Sequence, residues 1–168
     1  MTDPLQPAAA VPEAGDPGRV EPGRVEPRGI DPRGPRVGAG LTAVVLAVAL
    51  LTGNVWVLAG QAVVFAAGSL LGVQRSPYGL LYRRFIRPRL APPSELEDPA
   101  PPRFAQTIGL IVTGLGLILA AFGIGPAVEV AAGLALIAAF LNSVFGLCLG
   151  CELYLLLARI RGPRAALG

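Results

Sequence analysis

The sequence contains no histidine and no lysine, and only two of its 168 residues are cysteines. The absence of histidine excludes the histidine-based metal sites and acid–base pairs that many enzymes use. Two cysteines are too few for a disulfide framework. All 14 basic residues are arginines. Any chemistry must therefore come from the two thiols, the carboxylates, the hydroxyls or the guanidinium groups.

Charge is also absent from three long stretches of the chain. No Asp, Glu, Lys, Arg or His occurs in residues 37–74, 104–128 or 130–151. Apolar runs of about 18 or more residues without charge are typical of membrane-spanning helices. The mean hydropathy of +0.61 and the charged fraction of 15% agree with that interpretation. The composition excludes a soluble domain and predicts an all-α integral membrane protein.

Breaks in the apolar runs predict four transmembrane helices, at about residues 37–52, 55–72, 104–122 and 128–158. One helix over residues 37–72 would be about 54 Å long against a bilayer core of about 30 Å, so Gly53 and Asn54 must form a turn. The fourth helix is long for one span. We expect it to be tilted, or to begin in the outer interface with Glu129 in water.

The regions outside the spans are rich in proline and arginine. Residues 1–36 carry repeated acid–proline pairs and predict a disordered tail, before a membrane domain at 37–160 and a short cytoplasmic tail at 161–168. Ser76 and Pro77 predict the start of an interfacial amphipathic helix at about 77–87. Its lipid-binding arginines would be Arg83, Arg84 and Arg87. Because this helix is tethered to the bilayer on both sides, we expect no nucleic-acid partner.

The positions of the arginines along the chain predict the orientation of the four spans in the membrane. The arginines fall in the N-terminal tail, in residues 75–103 and in residues 159–164, whereas the turns at 53–54 and 123–127 carry none. Four spans place the three arginine-bearing segments on one side of the membrane. The positive-inside rule makes that side cytoplasmic, together with both termini.

Small residues at helical spacing predict close helix packing. Gly109 and Gly116 share a stripe on the third predicted span, and Ser143, Gly146 and Gly150 share a face of the fourth. Such residues let a neighbouring helix approach closely, either within the chain or in an oligomer.

The residues best suited to chemistry form a CxxC-Glu motif, which consists of Cys148, Cys151 and Glu152. On a continuous helix, Cys148, Glu152 and Arg159 would share one face with Cys151 at its edge. A carboxylate inside the bilayer costs roughly 2.5–3.5 kcal/mol, which points to a function. The two thiols would exchange electrons or sulfur with a cytoplasmic partner. Glu152 would be the proton partner, and Arg159 would hold that carboxylate or an anion of the partner.

Two other interpretations of the motif stay open. The cysteines can be apolar fillers in a non-catalytic membrane scaffold or complex subunit, since a buried thiol has a raised pKa and low reactivity. The thiols can also bind a soft ion such as Cu(I) during transport, although two sulfurs and one carboxyl are few ligands for a metal site. No cofactor and no resident metal site are predicted, and whether the protein is an enzyme is left open.

Several segments resemble a known family: residues 31–36, 74–84, 92–98, 102–106 and 146–154. They look like the bacterial membrane proteins of the domain-of-unknown-function 4395 family, over about residue 30 to the end. The resemblance implies a multi-pass protein of the bacterial inner membrane and names no reaction. Because related genes often neighbour thioredoxin-like and sulfurtransferase-like ones, it also implies a partner of that kind. Quinone-linked disulfide-forming membrane enzymes are loosely similar, but their reactive pair lies toward the oxidising side, and the expected mechanism here is not theirs.

Overall fold

The structure, a computed structural model, describes residues 29–162. Residues 1–28 of the disordered tail predicted at 1–36, and residues 163–168 of the cytoplasmic tail predicted at 161–168, lie outside the described residues. The described chain is all-helical, as predicted, and an isolated bridge between Ile30 and Glu97 is its only β pairing. The helices are α1 (Arg33–Thr52), α2 (Val55–Leu71), α3 (Pro77–Leu81), α4 (Ala100–Ala121), α5 (Ala127–Phe145) and α6 (Leu149–Arg161).

Helices α1, α2, α4 and α5 form an antiparallel ring. Helix α2 packs on α4, where the Ser69 and Thr107 hydroxyls lie 2.7 Å apart. Helix α4 packs on α5 where Gly116 leaves room for Ala131. We call the end of the bundle that holds the first turn of α1 the Arg36 end. The opposite end, with the turn between α1 and α2, is the Gly53 end.

The exterior of this ring is apolar. Large side chains on its surface are more than half exposed, among them Val44, Val63, Ile111 and Ile137. Helices α1, α4 and α5 are long and apolar enough to cross a membrane, and α2 is a shorter apolar helix of 17 residues. An apolar surface of this extent is typical of a face that meets lipid.

Two of the helices begin earlier than predicted. Helix α1 starts at Arg33 instead of residue 37, because the carboxylate of Asp31 accepts the Arg33 N–H at 3.0 Å. Helix α4 starts at Ala100 instead of residue 104, where Asp98 accepts the Ala100 N–H at 2.8 Å. Prolines fit the first turn of a helix, since the N–H that they lack has no partner there.

The segment predicted as an interfacial helix is helical with changing pitch. Helix α3 is followed by a π turn over Tyr82–Ile86 and a 3-10 turn over Arg87–Arg89. The Ser76 hydroxyl accepts the Gly79 N–H at 3.2 Å and caps the segment. Tyr78 and Tyr82 attach it to the bundle through hydrogen bonds of 2.9 Å to Gln61 of α2 and to Asp31.

The single fourth helix predicted at 128–158 is wrong. Helix α5 ends at Phe145, because Gly146 adopts a left-handed conformation with φ of 70° and its N–H bonds to the carbonyl of Asn142. Glycine is the usual residue at such an end. Helix α6 starts at Leu149 and packs on α4, where the rings of Phe104 and Tyr154 lie 5.6 Å apart.

The break also overturns the small-residue face predicted for this stretch. Ser143 lies on α5, Gly146 lies in the corner and Gly150 lies on α6, so the three do not form one helical face. At the other end of α5, the side chain of Glu129 does not simply point into water. Its Oε2 atom is buried without a hydrogen-bond partner among the described residues.

Candidate functional site

The two thiols lie at the start of α6, and Cys148 is three residues beyond the end of α5. Cys148 is the N-cap residue, with extended backbone at φ −89° and ψ 98°. Its Sγ accepts a hydrogen bond of 3.4 Å from the backbone N–H of Cys151. Both cysteines are free and half-buried. The sulfur of Cys148 therefore faces unsatisfied N–H groups and the positive end of a helix dipole, which stabilise a thiolate.

The two thiols have opposite acidities, and both lie outside the three helices that are long enough to span a membrane. A hydrogen bond from the Cys151 thiol lowers the pKa of Cys148 from 9.0 to about 7, against the effect of burial and with help from backbone N–H groups. The same hydrogen bond raises the pKa of Cys151, and burial raises it further. The pair thus has one nucleophilic sulfur and one sulfur that keeps its proton.

Two carboxylates flank the thiols. Glu152 follows Cys151 directly on α6 and is exposed. The negative charges of Glu97 and Glu152 both raise the pKa of Cys151. Glu97 was not predicted from the sequence; it is brought here by the backbone bridge to Ile30, with hydrogen bonds of 2.9 Å in both directions. These carboxylates favour the protonated form of Cys151.

Arg159 is not brought to this group. It lies seven residues after Glu152, about 10 Å along the helix at 1.5 Å per residue, and no ion pair joins the two in the described part of the chain. Arg36 of α1 is the arginine that reaches the site. Its guanidinium occupies the space beside Gly146, where a Cβ would lie 2.8 Å from its Cζ.

A cavity of about 600 Å³ connects the thiols to the interior of the bundle. All four ring helices line it, and α6 borders it at the Arg36 end. Its polar lining groups at that end are Arg36, Glu97, Gln106, Asn142, Cys148, Cys151 and Glu152. Its walls farther in are small or apolar, with Phe65, Gly109, Val112, Ala135 and Ala139 among them.

Two amides at this cavity were not predicted as site residues. Gln106 of α4 and Asn142 of α5 make no side-chain hydrogen bond within residues 29–162, and neither amide is among the fully buried unpartnered groups. Both residues line the cavity, and the side chain of Gln106 also packs against Gly68 of α2. Gln106 lies three residues before Gly109 on α4, but its spacing alone does not distinguish a packing position from a ligand position.

The other predicted residues lie apart from the thiols or serve packing within the chain. Gly109 faces the ring of Phe65 at 2.7 Å from an added Cβ, Gly150 faces Ala105 and Ser143 faces Gly40. Arg83 and Arg87 line a second cavity of about 340 Å³ beside Tyr82, and Arg84 is exposed. In the described segment, no group of three or more His, Cys, Asp or Glu residues could hold a metal ion.

Comparison with known proteins gives a family whose function is unknown. No curated protein and no solved structure matches this chain. The family described as domain of unknown function (DUF4395) matches residues 30–159, which is most of the chain and includes every residue of the thiol site. The protein belongs to the DUF4395 family.

Proposed function

We propose that this protein is a multi-pass membrane protein that exchanges electrons or sulfur through Cys148 and Cys151. One observation carries the proposal: the Cys148 sulfur caps α6 and accepts the Cys151 N–H at 3.4 Å. A CxxC pair at a helix N-terminus, with its first thiol acidified and its second protonated, suits thiol–disulfide exchange. The objection that a buried thiol is inert does not apply to a half-buried Cys148 with these donors.

The membrane arrangement that we propose has four spans, namely α1, α2, α4 and α5. Helix α2 is about 26 Å long at 1.5 Å per residue, within the range for a span of about 17 residues or more. By sequence position, every described arginine belongs to the Arg36 end. The positive-inside rule then places that end and both termini in the cytoplasm, across the inner membrane of a bacterium. Helix α6 has only 13 residues and lies at the cytoplasmic interface.

The exchange reaction proceeds in two displacements. The Cys148 thiolate attacks one sulfur of a partner's disulfide, and a mixed disulfide forms as the first partner thiolate leaves. Cys151 then gives its proton to Glu152 or water and attacks the Cys148 sulfur, which releases the second partner thiolate. Two electrons pass from the dithiol to the partner disulfide. With a persulfide donor, the Cys148 thiolate takes the terminal sulfur and the donor leaves as a thiolate.

The partner that we propose is a cytoplasmic thioredoxin-like or sulfurtransferase-like protein. Such proteins present a reactive sulfur at their surface, and Cys148 lies at the end of the bundle proposed to face the cytoplasm. The rival function, a scaffold that docks partners through small-residue faces, is weakened by the use of those faces within the chain. Gly109 and Gly116 already accommodate Phe65 and Ala131.

Purified protein tests the exchange. We expect Cys151→Ala to trap a mixed disulfide between Cys148 and a small disulfide such as oxidised glutathione, visible by mass spectrometry. The wild type should instead resolve to an internal Cys148–Cys151 disulfide, and Cys148→Ser should form no stable adduct. Adducts of equal yield at Cys151 in the Cys148→Ser variant would contradict the assigned roles.

A further inference from the structure

Helix α6 leaves one apolar face largely uncovered. Four of its exposed apolar side chains recur at steps of four, three and four residues: Leu149, Leu153, Leu156 and Ile160. At about 100° per residue these side chains fall within about 60° of one another and form one stripe. The exposed fraction is 44% at Leu149 and 73% at Ile160, so the far half of the stripe is the less covered. We call these four residues the α6 stripe.

The contacts of α6 with the bundle use a different face. Gly150 packs on Ala105, and the ring of Tyr154 contacts that of Phe104. These two positions of α6 lie about 90° and 130° from the centre of the stripe. Cys151 lies about 170° from that centre, nearly opposite to the stripe. A medium that covers the α6 stripe therefore does not cover Cys151.

The attachments of α6 set its level relative to the bilayer. It begins three residues after α5 ends, and it packs on the first turns of α4, which starts at Ala100. Both neighbours are proposed spans, so α6 is held where the spans leave the bilayer. Leu149 and Leu153 border the cavity among the spans, whereas Leu156 and Ile160 do not line it. The stripe thus starts over the spans and continues past the edge of the bundle.

The stripe is continuous with the apolar exterior of the bundle. Exposed apolar side chains connect the outer surface of α5 to the start of α6: Val144, Phe145 and Leu147. Arg159 is exposed on α6 and lies about 90° from the centre of the stripe. A helix with an apolar face and a flanking arginine, placed at a bilayer surface, inserts that face among the acyl chains and keeps the guanidinium near the phosphates. The arginines of the Arg36 end also match the negative charge of a cytoplasmic leaflet.

From these relations we propose that the partner of the α6 stripe is the cytoplasmic leaflet of the membrane. The stripe inserts about 5–10 Å into the boundary between headgroups and acyl chains. Cys151 then lies on the side of α6 turned away from the lipid, where a cytoplasmic partner can approach while the helix stays in the leaflet. This inference rests on the proposed membrane arrangement and adds the lipid contact that orients the thiol helix.

Tryptophan fluorescence in lipid nanodiscs tests the insertion on the full-length protein. Trp56 is the only tryptophan, so Trp56→Phe gives a dark background. Leu156 in the stripe and its neighbour Leu155 form a matched pair, because both are exposed leucines and Leu155 lies about 130° from the centre of the stripe. Lipids brominated near the headgroup should quench Leu156→Trp several-fold more than Leu155→Trp. Iodide in the water should quench the two in the reverse order.

A tryptophan in a span separates this inference from the arrangement on which it rests. Val63 is 68% exposed in the middle of α2, so lipids brominated near the chain ends should quench Val63→Trp. If Val63→Trp is quenched while Leu156→Trp and Leu155→Trp respond alike to both quenchers, the inference is overturned and the spans stand. If Leu156→Trp is shielded from both quenchers, protein covers the stripe and the inference is again overturned. If Val63→Trp is not quenched, the membrane arrangement fails and the inference fails with it.

Discussion

The Sγ atom of Cys148 and the backbone nitrogen of Cys151 lie 3.4 Å apart, joined by a hydrogen bond across the first turn of α6. This contact makes Cys148 the cap of a helix and helps to lower its pKa, which the hydrogen bond from the Cys151 thiol lowers most. The two roles predict different consequences for substitutions at the same position, and experiments can separate them.

The pH dependence of alkylation reports the acidity of Cys148. Its pKa of about 7 implies that iodoacetamide modifies Cys148 at about half its maximal rate at pH 7. The rate should fall as pH drops below 7, because the thiolate is lost. Cys151→Ala removes the hydrogen bond that contributes most to this acidity, so the midpoint should move upward. Quench-flow alkylation with peptide mapping measures both, and an unchanged midpoint would contradict the assigned cause.

Capping predicts that serine and alanine differ at position 148. Cys148→Ser keeps an acceptor for the Cys151 N–H, so the free energy of unfolding should stay near that of the wild type. Cys148→Ala removes the acceptor and should cost about 0.5–2 kcal/mol. Thermal unfolding in detergent, followed by circular dichroism, compares the two. Alanine and serine variants of equal stability would show that Cys148 does not cap α6.

Two glycines of α4 form a matched pair for the helix packing. A Cβ at Gly116 would meet Ala131 Cβ, and the carbonyl oxygen of Ala127 would be 3.2 Å away, whereas nothing lies within 4 Å of one at Gly114. Gly116→Ala should therefore destabilise the bundle by about 1–3 kcal/mol. Gly114→Ala should be neutral or raise stability by up to about 1 kcal/mol. If both variants unfold alike, α4 and α5 do not meet at Gly116.

The proposed orientation predicts which positions each side of the membrane can reach. In a Cys148→Ser/Cys151→Ser background, an impermeant maleimide outside the cell should label Gly125→Cys in the turn before α5. It should not label Arg89→Cys, which needs permeabilised cells. A reporter fused after Gly168 should read as cytoplasmic. The reverse pattern would overturn the proposed orientation.

The helical fold could be predicted from the sequence because the signals that specify it are local. Uncharged runs, the Gly53 turn and the Ser76 cap each act over a few residues. The same kind of evidence failed at Gly146, since a glycine inside an apolar run is equally consistent with a packing position and a helix end. The end depends on the left-handed backbone there and on the docking of Gly150 against Ala105.

The site was predicted only in part for the same reason. Cys148, Cys151 and Glu152 are adjacent in sequence and could be identified from spacing. Arg36, Glu97 and Gln106 come from three distant segments, and folding alone brings them to the cavity. Arg159 was selected because it shares a face of the motif's helix with Glu152, but two positions about 10 Å apart on one face need not bring their side chains together. A basic residue at the start of α1 was a weaker signal than the arginine on the motif's own helix.

Thiol trapping in intact membranes tests the central claim most directly. Cells are quenched in acid, and free thiols are tagged with a maleimide large enough to shift the protein on a gel. We predict that the Cys148–Cys151 pair carries two tags when reductant is abundant and none after a brief oxidant pulse, returning to two on recovery. A pair that stays reduced under oxidising stress, with tags unchanged, would contradict the account.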